Sequence, residues 1–145
     1  PPPPPPEVGG RLARTAAQLL AAAADGRPRA IVEGGEATVV LPRDYGRGGR
    51  NQQTVLATLA AWSGGWPAGL AVASIGTDGE DGPTDAAGGV IHADVAAAVA
   101  ERRLDVATAV RRCDAHPLLD AAGGLIRTGP TGTNVADVRI ILVRP

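Results

Sequence analysis

The run Gly69-Leu70-Ala71-Val72-Ala73-Ser74-Ile75, followed at once by Gly76-Thr77-Asp78-Gly79-Glu80-Asp81-Gly82-Pro83-Thr84-Asp85, decides how the fold is read. Its first half is short, almost wholly apolar and bounded by glycines, the pattern of a strand covered on both faces of a sheet. Its second half is a polar, glycine-rich loop at the end of that strand, where open α/β sheets bind ligands. Upstream, Asn51 to Trp62 places Val55, Leu56, Leu59 and Trp62 on one helical face, with Gly64-Gly65 beyond its end. Further back, Leu12, Ala16, Leu19, Leu20 and Ala23 recur at helical spacing over Arg11 to Ala24, and Asp25-Gly26 supplies a stop. Between the two helices, Ala30 to Val32 and Ala37 to Leu41 read as β segments separated by a bulge or tight bend at Gly34-Gly35.

Downstream, Asp94 to Arg103 reads as a helix with Asp at its cap and Arg in its last turn. Leu104 to Arg112 and Pro117 to Ala122 read as shorter helices, and Leu125 to Arg127 and Val138 to Val143 as closing strands. Helices alternating with strands predict an α/β fold, a layered α/β/α domain with a mixed, mostly parallel sheet. Pro1 to Pro6 favours polyproline II, so residues 1–10 are expected to be a linker or frayed end and residues 11–145 the domain. The proline opening and the lack of an initiator Met predict a chain cut from something longer.

With 145 residues, the chain is one domain's worth. A net charge of -1 gives no electrostatic support to nucleic-acid binding. No apolar stretch approaches the roughly 18 residues that span a bilayer, so neither a nucleic acid nor a membrane is expected as a partner. The single Cys excludes an intramolecular disulfide, and a cytoplasmic setting is expected. All 14 basic residues are Arg, so no phosphate-loop lysine comes from this chain.

Three polar loops are the candidates for chemistry. Gly46-Arg47-Gly48-Gly49-Arg50-Asn51-Gln52 runs into a helix N-terminus, where backbone N–H groups and two guanidinium forks suit a phosphate or carboxylate. Arginine in that position opposes the helix dipole unless an anion compensates it. In the second loop Asp78, Glu80, Asp81 and Asp85 place four carboxylates within eight residues. Such a cluster suits a hard cation such as Mg²⁺, or else forms a solvated turn with Asp85 as a helix cap. The third loop, Thr128-Gly129-Pro130-Thr131-Gly132-Thr133-Asn134 with Asp137 beyond it, suits close approach to a phosphate or a polyol, or a tight turn held by its own hydroxyls. Cys113-Asp114-Ala115-His116 gathers a thiol, a carboxylate and an imidazole, but zinc requires a further ligand pair. No Gly-x-Ser-x-Gly elbow and no dinucleotide-binding Gly-x-Gly-x-x-Gly is present.

With these loops in view, the chain resembles the C-terminal MOFRL domain of the glycerate 2-kinase family, whose members are often labelled hydroxypyruvate reductase. The resemblance runs from about Arg11 to Val143 and rests on Gly34 to Val39, Gly46 to Gln52, Gly76 to Gly88 and Thr128 to Val135 followed by Asp137. It implies an ATP-dependent kinase acting on the 2-hydroxyl of D-glycerate, with ATP and Mg²⁺ as cofactors. It places the active site between this domain and a larger N-terminal α/β domain, supplied in cis or in trans. On that basis Arg47 and Arg50 are the catalytic candidates, and Asp78 and Asp81 the metal candidates. Gly48, Gly49, Asn51, Thr131, Gly132, Thr133 and Asn134 are the candidates for substrate or phosphate contacts. Two departures stand out: Glu33 replaces the usual serine before Gly-Gly-Glu, and Cys113 replaces the usual asparagine before Asp114. The alternatives are an NAD(P)H-dependent hydroxypyruvate reductase and a non-catalytic module that binds an anionic metabolite. The chain alone is expected to fold but to have no kinase turnover.

Overall fold

A computed structural model describes residues 2–145; Pro1, the first residue of the expected linker, lies outside the described residues. The remaining prolines overturn the linker reading, because helix α1 spans Pro5–Ala22 with proline in its first two positions. The first helical turn has no acceptors for its N–H groups, so proline gives up nothing there and its ring presets a helical φ. The Pro4 carbonyl accepts from the Glu7 and Val8 amides at 3.0 and 3.1 Å. Val8, Leu12 and Ala16 are buried, and a Cβ on Gly9 would come within 2.6 Å of Ala57, so α1 packs backbone-close on its neighbour helix.

After a short 3-10 turn at Ala23–Asp25 come β1 (Arg29–Gly35), α2 (Arg50–Ala61) and β2 (Leu70–Gly76). They are followed by β3 (Gly88–Ile91), α3 (Ala93–Glu101), α4 (Val106–Arg111), α5 (Ala115–Ala122), β4 (Leu125–Ile126) and β5 (Asp137–Val143). The strand expected over Ala37 to Leu41 does not form. Val40 and Leu41 are exposed, and β-branched residues make a strand only where a neighbouring strand receives them. In α3 the cap position falls to His92, and Asp94 lies in the first turn. Asp105 caps α4 by accepting from the Thr108 amide at 2.9 Å.

The sheet order is β1-β5-β2-β3-β4, and every neighbouring pair is antiparallel. This corrects the mostly parallel expectation while leaving the α/β class in place. A parallel neighbour needs a crossover connection. Two connections carry helices: β1-α2-β2 is split because β5 inserts between those strands and runs against both, and β3-α3-α4-α5-β4 returns its second strand antiparallel to the first. The β2–β3 and β4–β5 connections contain no helix, so each simply reverses direction.

The layering also differs from expectation. Leu70, Val72, Ile141 and Val143 face α1, while Ile91 faces α2, α3 and α5; both clusters lie on one side of the sheet. On the opposite side Ala71, Ala73 and Ile140 are half-buried and Val32 is 67% exposed. The domain therefore has two layers among the described residues, not three. Strand β2 reads as apolar on both sides because it is central: its open-face alanines are shielded by the flanking strands.

Candidate functional site

Helix α2 is the axis of the site. It packs against α1, β2, β3, α4 and α5, and residues 51–58 are all buried. A helix so enclosed must find partners for its first N–H groups within the protein. Asp81 supplies them. Its Oδ1 accepts from the Asn51 amide at 3.0 Å and from Asn51 Nδ2 at 3.2 Å. Its Oδ2 accepts from the Gln52 amide and from Gln52 Nε2, both at 2.9 Å. Asn51 in turn accepts from the Ser74 hydroxyl at 2.6 Å, which ties the helix end to β2. Burial pushes the Asp81 carboxyl up, and the four donors work against that shift.

The anion at this helix N-terminus is thus the chain's own, and this geometry bears on two of the candidate residues. Asp81 is 2% exposed with both oxygens filled by N–H donors, so it has no lone pairs directed at a metal ion. Asn51 is 1% exposed and is spent on Asp81 and Ser74, so it belongs to the framework and not to a ligand surface. Gly49 serves the same clasp, since a Cβ there would overlap the Asp81 carboxylate, and Gly46 makes room in the same way for Asp114.

Beside this clasp lies a cleft of about 490 Å³, lined on one side by Ala37, Val39 and Leu41 and on the other by Gly48, Gly49, Arg50, Gln53, Asp78 and Glu80. Arg50 is held rigidly at its edge. Its Nε and Nη2 donate to the two Asp137 oxygens at 2.7 and 3.0 Å, and Nη2 also donates to Glu36 at 3.1 Å. Asp137 is 1% exposed on its side chain, so this bidentate pair is anchored in the protein, and its hydrogen bonds raise the Arg50 pKa. Among the described residues nothing bonds Arg50 Nη1, which leaves one edge of the guanidinium for a ligand.

The second and third loops meet. Asn134 Nδ2 donates to Asp78 Oδ2 at 3.3 Å, the Thr131 amide donates to the Asp78 carbonyl at 3.1 Å, and the Thr131 hydroxyl donates to the Thr77 carbonyl. The Val135 amide closes the join on Thr77 Oγ1 at 2.8 Å. Gly79 makes the approach feasible: its φ is +89°, and a Cβ there would overlap the Gly129 carbonyl. Thr131, Gly132, Thr133 and Asn134 are exposed at this rim and do not line the cleft itself. Asp78 lines it with a carboxylate that already accepts from the Glu80 amide at 3.0 Å and from Asn134.

Arg47 lies elsewhere. Its amide donates to Asp114 at 2.8 Å and its guanidinium is 3.7 Å from Asp85, away from the residues lining the cleft. It belongs to a charge network that sequence spacing does not reveal. Asp85 accepts from Arg127 Nε at 2.7 Å and sits 2.7 Å from His116 Nε2, while Arg127 also reaches Asp120 at 2.9 Å. The Arg127 and His116 hydrogen bonds hold the Asp85 carboxyl far below the usual carboxylate range. His116 is buried, and its amide donates to the Arg47 carbonyl at 2.9 Å. This residue therefore joins the first two loops; no group of three or more metal-binding side chains occurs among the described residues. Glu36, Gln53 and the apolar wall were also unmarked as site residues, since each acquires meaning only from a neighbour distant in sequence.

These features define a two-layer α/β domain that presents a glycine-lined cleft with a fixed guanidinium at its edge. The MOFRL family pattern matches residues 29–137, and the chain belongs to that family. A human protein named glycerate kinase is 42% identical over 124 residues, covering 81% of this chain and 23% of that protein. A Thermotoga maritima protein named D-glycerate 2-kinase is 42% identical over 117 residues, covering 81% of this chain and 27% of that protein. The crystal structure of glycerate kinase from Thermotoga maritima superposes with a TM-score of 0.86 at 35% identity, over 97% of this chain and 33% of that one. The chain thus spans 23% to 33% of the length of these relatives. No helix among the described residues is long and apolar enough to cross a membrane.

Proposed function

We propose that this chain forms one wall of the active-site cleft of an ATP-dependent glycerate 2-kinase, which converts D-glycerate to 2-phosphoglycerate. The remaining polypeptide, or a partner chain, supplies the nucleotide-binding side. A cytoplasmic setting agrees with a lone cysteine that has no disulfide partner. The single observation that carries this reading is Arg50: it is locked by Asp137 and Glu36 at the edge of a cleft lined by Gly48 and Gly49, with Nη1 unspent.

Phosphoryl transfer asks a protein mainly for positioning and charge stabilisation. Arg50 suits the first task, because a guanidinium already fixed by two carboxylates loses little freedom when it binds the glycerate carboxylate. The same two carboxylates temper its charge, so it orients an anion without trapping it. Gly48 and Gly49 let a ligand approach the backbone closely. Gly132, Thr133 and Asn134 offer donors to phosphate oxygens from the exposed rim, while the Thr131 amide and hydroxyl are spent on the Asp78 and Thr77 carbonyls and hold the turn in place.

Bound Mg²⁺ would neutralise phosphate charge during transfer. The residues present do not make a dedicated site for it: Asp81 is consumed by α2, and Asp78 already accepts two hydrogen bonds. Asp78 and Glu80 remain as carboxylates at the cleft, and the rest of a coordination shell would come from outside this chain.

The test is an ADP-release assay on the complete natural polypeptide with D-glycerate and ATP. Arg50→Met is expected to lower kcat/KM for glycerate by about 10- to 100-fold, as loss of a charge-assisted hydrogen bond from Nη1 implies. Oxidation of NADH by hydroxypyruvate without ADP release from glycerate would instead establish the reductase and refute this function.

A further inference from the structure

We infer that Gln53 reads one ligand hydroxyl in this cleft and so sets its preference for glycerate over acids that lack that hydroxyl. The inference deepens the function proposed above and rests on it. Gln53 is 3% exposed and lines both the main cleft and a smaller hollow of about 200 Å³ that shares Val39 and Cys113 with it. Its Nε2 donates to the Val110 carbonyl at 3.1 Å, which fixes the amide: the flipped form would set oxygen against oxygen. Its Oε1 is left buried with no partner in the protein. Such an acceptor is unfavourable unless something donates to it.

The surroundings define that donor. Of the carboxylates at the cleft, Asp81 is engaged by α2 and Asp78 by the Glu80 amide and Asn134, while the Glu80 carboxylate is exposed to solvent. Gln53 Oε1 is therefore an unspent, uncharged acceptor, suited to an O–H donor and free of the repulsion a carboxylate would exert on an anion. Arg50 lies three residues earlier on α2, and positions i and i+3 share a helix face with Cβ atoms about 5–6 Å apart. A small hydroxy acid matches this pair, with its carboxylate toward Arg50 Nη1 and one hydroxyl toward Gln53 Oε1. The Cys113 thiol, a weak donor at best, sits on the same wall and does not compete.

Titration calorimetry on the complete natural polypeptide tests this with D-glycerate, D-lactate, which lacks the 3-hydroxyl, and 3-hydroxypropionate, which lacks the 2-hydroxyl. The wild type should bind glycerate at least about tenfold more tightly than one of the two analogues. Gln53→Met should shrink that ratio to within about threefold. Gln53→Glu, protonated in this buried place so that its O–H takes over the donation to the Val110 carbonyl, keeps an acceptor oxygen and should preserve the ratio. A ratio unchanged in Gln53→Met would show that water satisfies the oxygen and would overturn the inference. So would a wild type that does not discriminate, or a collapsed ratio in Gln53→Glu should the Met variant not fold. A wild type that neither binds nor phosphorylates glycerate would remove the kinase reading itself, and this inference with it.

Discussion

Replacing Asp81 by alanine should be among the most damaging single changes in the domain, although the residue lies on a loop. Two backbone amides and two side-chain amides lose their acceptor at the buried start of α2. An exposed helix cap is worth about 1 kcal/mol, whereas each buried polar group left unpaired adds roughly 1–3 kcal/mol. Allowing for partial entry of water, the loss should be about 3–5 kcal/mol. For a domain of this size that lowers Tm by roughly 10–15 °C. Asp81→Asn should recover only part of this, because its amide nitrogen must face another N–H group. Urea unfolding followed by far-ultraviolet circular dichroism gives the free energy directly. A loss below about 1 kcal/mol would refute the clasp. So would Mg²⁺ raising the Tm of the wild type but not of Asp81→Ala, because that result would make Asp81 a metal ligand.

Gly79→Ala combines a φ of +89° with overlap on the Gly129 carbonyl, so it should separate the second and third loops at a loss of about 2–4 kcal/mol; hydrogen exchange at the Thr131 amide should accelerate with it. Cys113 holds a left-handed φ of +53° in which asparagine is better tolerated, and Cys113→Asn should raise stability by about 0.5–1 kcal/mol in chemical denaturation. Asp85, held down by Arg127 and His116, and Glu33, held down by Arg11, both have folded pKa values below their unfolded ones. Their stabilisation is complete above about pH 4–5 and is lost as pH falls below that range. Urea midpoints from pH 7 to pH 3 should therefore decline less steeply in Asp85→Asn and Glu33→Gln than in the wild type. Glu36→Gln relieves part of the compensation on Arg50, and should tighten binding of a small carboxylate by about two- to fivefold in calorimetry.

What the sequence revealed followed how local each cause was. Helices α1, α2 and α5 announce themselves because apolar spacing and terminal glycines are written within a few residues. Leu12 and Ala16 on α1, or Val55 and Leu56 on α2, are buried as their spacing requires. The same spacing said nothing of Pro5 and Pro6 as helix starters, because only the packing of Val8 and Gly9 makes that turn worthwhile. Strand direction was hidden for a related reason: β5 is last in the chain yet pairs with the first two long strands, an arrangement no local window contains. Strand β3, only Gly88-Gly89-Val90-Ile91, was missed because two of its residues are glycines, and a Cβ on Gly88 would overlap the Ser74 carbonyl. At the site, the loops and the placement of Arg50 were legible as composition. The partners that decide their roles lie far off in sequence: Asp81 for Asn51, Asp137 for Arg50, and His116 for Asp85.

The uncovered side of the sheet bears on how the molecule behaves at high concentration. Val32 and Leu142 meet solvent there without a second helical layer above them. Swapping either for threonine should scarcely alter the unfolding midpoint, since little of their surface leaves water on folding. Turbidity and light scattering should fall nonetheless, because greasy strand surfaces left wet are where colliding copies stick.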